Sequence, residues 1–320
     1  MNRTTIKVGT DRPRRAARGP KRPGTKLGTR SQLYFMVVLP VLILVVFSYF
    51  PMAGLVIAFQ DYNIFEGLFG SPWAGFSVFE GIFQSTGFWQ ALSNTLMLNV
   101  LNLLVGFTAP IVLALLLNEM RVHFLKRLFQ STLYLPHFLS WAIIGALSLQ
   151  LFSDHTGIVN DLIRSLGGQP IPFLSEKWHW LFTYLGIGIW QSAGWGTILY
   201  LSALAAINPE LYEAAEVDGA GRWRQMFWIT IPCISPTMVV LLILQVGRLV
   251  SIGFEQPYIL GNDLVRDFSS VISTYVYQMG IVSGQYNVGT AIGLFQSVVG
   301  LTLLLGTNAV ARRFGEKGLW

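Results

Sequence analysis

Six runs of apolar residues dominate this chain, covering about residues 33–59, 92–117, 133–152, 178–206, 233–254 and 288–310. Each is long enough to cross a hydrocarbon layer ~30 Å thick, which takes roughly 20 helical residues. Lipid offers no hydrogen-bond partner to a bare backbone, so such a run must satisfy its own N–H and C=O groups, as a helix does. Pro40, Pro51 and Pro110 lie inside these runs. Membrane helices tolerate proline because neighbouring helices and side chains satisfy the freed carbonyls. The expected fold class is therefore all-α, a polytopic transmembrane helical bundle of six spans. Composition agrees: 52% of residues are hydrophobic and 12% charged, where a soluble domain carries about 25% charged residues.

Six spans divide the connections between two sides. One side holds 18 Lys and Arg, in residues 1–30, 118–132, 208–232 and after 310. The other holds 3, in residues 60–91, 153–177 and 255–287, and Arg248 falls inside the fifth run. Cytoplasmic connections carry the excess of basic residues, so both termini are expected in the cytoplasm of a multi-pass inner-membrane protein. Residues 1–30 alone hold ten basic residues against the single acid Asp11. They read as an unstructured basic cytoplasmic tail rather than a nucleic-acid arm, since they flank the first span on its basic side. The first apolar run is too long for a signal peptide and has no small-residue cleavage site, so the tail is expected to be retained. Residues 31–320 form one membrane domain. Most of the tryptophans, Trp73, Trp89, Trp141, Trp178, Trp180, Trp190, Trp195, Trp223 and Trp228, fall near span ends, as an interfacial aromatic belt would place them.

The chain carries no legible catalytic or metal chemistry of its own. It has no G-x-x-x-x-G-K-[ST] phosphate loop, no G-x-S-x-G and no H-E-x-x-H. His123, His137, His155 and His179 lie in separate segments without ligand spacing, and interfacial hydrogen bonding is the expected role of each. Cys233 is the only cysteine, so no intrachain disulfide can form. The spans hold almost no ionisable groups, where proton-coupled transporters need several. The sequence thus describes a conduit whose energy source lies elsewhere.

One cytoplasmic connection, residues 208–232, has a sharp local design. Asn208 is suited to N-cap a short helix, and Pro209 to its first position. Glu210 and Glu213 fall where the helix dipole favours negative charge, and Gly219 can end the helix with positive φ. About ten residues give a rod of roughly 15 Å. It is too polar for lipid, and Ala214 and Ala215 leave room for close approach by a partner. Beyond the turn, Trp223, Phe227 and Trp228 can lie at the interface, with Arg222 and Arg224 reaching toward headgroups.

This segment resembles the EAA loop of ABC importer permeases: EAA, three residues, G, nine residues, I-x-L-P. Here Glu213-Ala214-Ala215 is followed after three residues by Gly219, and after nine more by Ile229-Thr230-Ile231-Pro232. Ile231 stands in place of Leu, a volume-conserving change. Beyond the tail the chain is similar to the type I carbohydrate permeases, the class that includes the maltose permeases. Within these it resembles a branch importing polysaccharide fragments such as alginate or pectin oligouronides. The residues carrying that likeness are Lys21-Arg-Pro-Gly-Thr-Lys, Asp61-Tyr62-Asn63, Gly253-Phe-Glu-Gln-Pro-Tyr258, Thr274-Tyr-Val-Tyr277, Gly293-Leu-Phe-Gln-Ser-Val-Val-Gly300 and Gly315-Glu-Lys-Gly-Leu-Trp320.

The resemblance implies a type I ABC importer permease fold in residues 31–320, with residues 208–232 as a cytoplasmic coupling loop. It implies a second homologous permease subunit, two ATPase subunits that carry ATP and Mg, an extracytoplasmic solute-binding protein, and an oligosaccharide cargo. No cofactor is expected on this chain and no nucleic-acid partner. Glu213, Ala214, Ala215, Gly219, Ile229 and Pro232 would then couple the permease to ATP hydrolysis. For the substrate path the residues themselves suggest Gln245, Arg248, Glu255, Gln256 and Tyr258, a polar cluster at the outer end of the fifth run that suits sugar hydroxyls and carboxylates. Gly289-Thr-Ala-Ile-Gly293 is a small-xxx-small pattern that fits either packing of a permease pair or helix crowding within the chain. The alternative function is a secondary transporter or channel for a small polar solute, which would need intramembrane charges or inverted repeats.

Overall fold

The computed structural model describes residues 27–313 and Gly318. The basic tail and most of the C-terminal Gly315–Trp320 run lie outside the described residues. Contacts separate the chain into two units, residues 1–54 and 55–320. In the first, α1 (Leu27–Leu44) passes Pro40 without breaking and leads into a π-helical turn, Val45–Tyr49. Side chains from Tyr34 to Phe50 are mostly half or more exposed, as expected of a helix meant for an apolar solvent.

The second unit is helical throughout, with no strand among the described residues beyond an isolated bridge between Gln60 and Trp73. Its main elements are α2 (Thr86–Glu119), α3 (His123–Phe138), α4 (Trp141–Phe152), α5 (Lys177–Ala205), α6 (Pro209–Val217), α7 (Arg222–Val246), α8 (Glu255–Leu260), α9 (Ile272–Val276) and α10 (Tyr286–Arg313). Among the described residues four helices are long and apolar enough to cross a membrane: Tyr34–Phe59, α2, α7 and α10. The third expected span is broken: α3 and α4 meet at 104°. Leu135–Phe138 tightens into a 3-10 turn around Pro136, and Ser140 restarts the chain by accepting the Ile143 N–H. The fourth, α5, has 29 residues, about 43 Å of rise. Its Trp, Tyr, His and Gly content lowers its hydropathy, not its reach.

Two expectations change. The fifth helix begins at Arg222, not near 233, and ends at Val246, not near 254. Arg248 therefore lies beyond the helix, in a turn, and not inside it. Residues 255–287, expected as a simple external loop, are folded into the core. Leu260, Val265, Phe268, Val271 and Ile272 are all buried there. They are held by polar side chains of the spans: Trp180 Nε1 donates to the Leu260 carbonyl (2.8 Å) and Asn94 Nδ2 to the carbonyls of Asp267 (2.9 Å) and Ser270 (2.8 Å), while Thr95 Oγ1 accepts the Ile272 N–H (2.9 Å). Trp180 is thus a fully buried anchor and not a member of the interfacial belt.

Small residues set the helix spacings. A Cβ on Gly194 of α5 would overlap the Leu133 carbonyl of α3, so only glycine permits that crossing. A Cβ on Gly289 of α10 would come within 3.2 Å of the Gly280 Cα, whereas Gly293 faces open space. The small-xxx-small pattern therefore resolves, at Gly289, to packing within this chain.

Candidate functional site

The coupling segment forms as its residues dictate. Asn208 Oδ1 accepts the Glu210 N–H (3.1 Å), and Pro209 occupies the first helical position. At the other end Gly219 has φ +77°. Its N–H donates to the Glu216 carbonyl (3.0 Å), and the Ala220 N–H to the Ala215 carbonyl (2.8 Å). This pair of bonds is the Schellman termination, which satisfies carbonyls that the helix end would otherwise leave bare. Tyr212 OH bonds Thr230 Oγ1 (2.9 Å), tying α6 to the start of α7, and Gln225 Nε2 donates to the Ala220 carbonyl (3.0 Å). Glu213, Ala214 and Gly219 are exposed, Ala215 and Ile229 are half-buried, and Pro232 is exposed. Val217 is 88% exposed and Leu211 46%. Two apolar side chains of this short charged helix are thus left uncovered within the chain.

At the other end of α7, the chain is unwound from Gly247 to Gly253. Broken helices at membrane depth survive only where protein groups or a cavity satisfy the freed backbone. Here Asn99 Nδ2 of α2 donates to the carbonyls of Leu249 (2.8 Å) and Ser251 (3.1 Å), and Gln296 Nε2 of α10 to that of Val250 (2.7 Å). Neither residue was singled out from the sequence, although an amide inside an apolar run is a visible signal.

Against this break lies a cavity of about 260 Å³ whose polar lining includes Asn99, Asn102, Gln245, Arg248 and Gln256. A second cavity of about 240 Å³ shares Gln245 and Arg248 and continues along Pro110, Gly196 and Tyr200. Gln245, Arg248 and Gln256 are therefore brought together, with Arg248 where the two cavities meet. The Arg248 guanidinium makes no hydrogen bond or ion pair among the described residues. Gln256 Nε2 donates to the Tyr184 carbonyl (2.9 Å), and its oxygen has no partner among the described residues. Tyr258 lines a separate cavity, and Glu255 is exposed and lines neither. The expected five-residue cluster is thus divided. Two residues apart on α8, Gln256 and Tyr258 point about 200° from one another.

Of the histidines, His179 Nδ1 pairs with Glu176 Oε2 (2.6 Å), and His137 stacks on Trp195 (4.6 Å, 8°). Among the described residues no cluster of His, Cys, Asp and Glu could hold a metal.

The model of the family described as "Binding-protein-dependent transport system inner membrane component" matches residues 106–316. The chain belongs to that family. It is a membrane-spanning permease subunit of an ABC importer. This permease is 46% identical to Protein LplB of Bacillus subtilis (strain 168), over 90% of this chain and 91% of that one. It is 45% identical to the polygalacturonan/rhamnogalacturonan transport system permease protein YteP of the same organism, over 94% of each. Among solved structures it resembles a chain of a bacterial ABC transporter involved in the import of the acidic polysaccharide alginate, with TM-score 0.81 and 39% identity over 89% of this chain and 96% of that one. A bacterial alginate ABC transporter in complex with an alginate pentasaccharide-bound periplasmic protein matches with TM-score 0.83 and 37% identity, over 93% of this chain and 100% of that one. The permease segment α6 to the start of α7, with its EAA spacing, falls inside the matched family region.

Proposed function

We propose that this permease moves acidic oligosaccharides, of the alginate or pectin-fragment class, inward across the cytoplasmic membrane by alternating access. Residues 1–30 serve as a basic cytoplasmic tail and 31–320 as the membrane domain, with both termini in the cytoplasm. The working assembly adds a second homologous permease, two ATPase subunits holding ATP and Mg, and an extracytoplasmic binding protein that delivers the sugar. Closure of the ATPase pair pulls α6 through Glu213, Ala214, Ala215 and Gly219. The Tyr212–Thr230 bond and the Ile229–Pro232 segment pass that pull to α7, whose far end frames the cavity. Nucleotide thereby biases a two-state packing of the permease pair.

The observation that carries this reading is the unpaired Arg248 guanidinium in a cavity within the membrane domain, flanked by amides. Arg248 is exposed to this cavity without a protein partner among the described residues, and a planar guanidinium matches a sugar carboxylate in a bidentate pair. Gln245, Gln256, Asn99 and Asn102 suit sugar hydroxyls. The relatives named for polygalacturonan, rhamnogalacturonan and alginate support the same class of cargo. The test is ATP hydrolysis by the assembled importer with its binding protein, compared between uronic-acid oligomers and neutral oligomers of equal length. Stimulation by the uronides is expected. Stimulation by neutral chains alone would overturn the acidic assignment, and ATP-independent uptake driven by an ion gradient would overturn the importer mechanism.

A further inference from the structure

Tyr258 belongs to a cavity of its own, about 430 Å³, within the ~300–1,000 Å³ range of small-molecule sites. It is built by α8 and the segment that follows it, at the end of α7 remote from the coupling helix. Much of its wall is already committed. Asn262 uses its amide on the Leu174 carbonyl and the Leu264 N–H, Thr274 Oγ1 is bonded to the Val271 backbone, and Tyr275 OH bonds Ser85 Oγ. Several polar lining groups are not committed, the side chains of Ser270 and Gln278 among them. Ser269 is only 6% exposed, yet its hydroxyl has no partner among the described residues. The hydroxyls of Tyr258 and Tyr277 have none either. Arg266 reaches only Asp263, at 3.9 Å, beyond hydrogen-bonding distance.

These groups sit on a fixed frame. The Tyr258 ring stacks on Phe254 (4.7 Å, 24°) and meets Tyr277 edge-on (5.5 Å, 75°). The floor is pinned by the Asn94 and Thr95 bonds to residues 267–272. The Ser269 hydroxyl is not sealed from solvent, so it faces water that a saccharide hydroxyl can replace. A recess of this size, with phenol and hydroxyl groups on its wall and the exposed Arg266 guanidinium at its rim, suits a sugar unit. A broad protein contact would need a surface of about 800 Å² per partner.

We propose that this cavity is a second, outer saccharide subsite. It binds a further unit of the oligosaccharide, through its hydroxyls at Ser269, Tyr258 and Tyr277 and its carboxylate at Arg266, before the chain enters the inner cavity at Arg248. The proposal rests on the oligosaccharide reading above and adds a length dependence to it.

Uptake is measured in proteoliposomes holding the whole importer with its binding protein, for uronic-acid di- and pentasaccharides and for neutral chains of the same lengths. The variants are Ser269→Ala, Arg266→Gln and Arg266→Lys, each checked for assembly by gel filtration. The expected result is a rise in KM for the pentasaccharide of about fivefold or more, the equivalent of one or two lost hydrogen bonds, with the disaccharide changed much less. Arg266→Lys recovers part of the loss for acidic chains only. Equal losses at both lengths would overturn the subsite in favour of binding-protein docking, and no loss at either length would overturn it outright. If the wild type moves only neutral chains, the acidic assignment falls. The subsite then stands or falls on whether Ser269→Ala remains length-dependent. A wild type that moves none of the saccharides overturns both.

Discussion

Replacing Gly219 tests the coupling helix most directly, because the structure isolates a single physical cause. Gly219 sits at φ +77°, and a Cβ built there meets nothing within 4 Å. Within this chain an added Cβ therefore acts through backbone conformation and not through a clash. The left-handed region costs an L-residue roughly 1–2 kcal/mol, more for a β-branched side chain and less for Asn. The same conformation makes the Gly219–Glu216 and Ala220–Ala215 bonds that close the helix. Gly219→Asn, Gly219→Ala and Gly219→Val should thus form a graded series. The Val variant lowers the population of the correctly ended helix by about 5- to 150-fold, from ~1–3 kcal/mol. The assay is saccharide-stimulated ATP hydrolysis by the assembled importer, alongside the affinity of the ATPase subunits for the permease. The expected order of coupling is Gly, Asn, Ala, Val. Equal activity for Asn and Val, with intact assembly, would refute the argument that the left-handed turn sets the docking geometry.

Ala214→Trp places a large ring on an exposed face of α6, and ATPase association should weaken at least tenfold by pull-down titration, about 1.4 kcal/mol; unchanged association would remove Ala214 from the interface. Arg248→Lys retains charge without the bidentate fork, so it and Arg248→Gln should both lower uptake of acidic oligomers while the complex assembles; normal uptake by Arg248→Gln would exclude an essential carboxylate contact. Asn99→Leu strips the donor from the Leu249 and Ser251 carbonyls, at about 1–3 kcal/mol for each acceptor left unsatisfied; the Tm of the purified complex should fall and saccharide KM rise, and a variant with both unchanged would show that the unwound segment stands without this clamp. In a Cys233→Ala background, cysteines at Gly70, Ser165 and Asp263 should react with an impermeant thiol reagent from outside sealed cells and one at Arg121 should not; labelling at Arg121 would invert the topology.

The sequence by itself determined the features that depend on neighbours along the chain. Runs of about twenty apolar residues need no tertiary partner to declare a helix in lipid. Residues 208–219 carry their own start and stop: Asn208 and Pro209 at one end, Gly219 at the other, and each took the conformation its chemistry favours. The EAA spacing within that segment was legible for the same reason. What the sequence did not disclose are features made by residues far apart in it. The apolar fifth run continues through residues 247–253, but the helix stops at Val246 because Asn99 and Gln296, some 150 and 50 positions away, receive the carbonyls that unwinding releases. Trp180 reads as one more interfacial aromatic until the Leu260 carbonyl, 80 residues on, accepts its N–H. Residues 255–287 read as a loop because their apolar groups are short and interrupted; they become core only when α2, α4 and α5 supply the surfaces they cover. For the same reason the polar cluster around Arg248 and Tyr258 looked continuous along the chain. The rotation of α8 sends Gln256 and Tyr258 into different cavities, a separation that only three-dimensional packing decides.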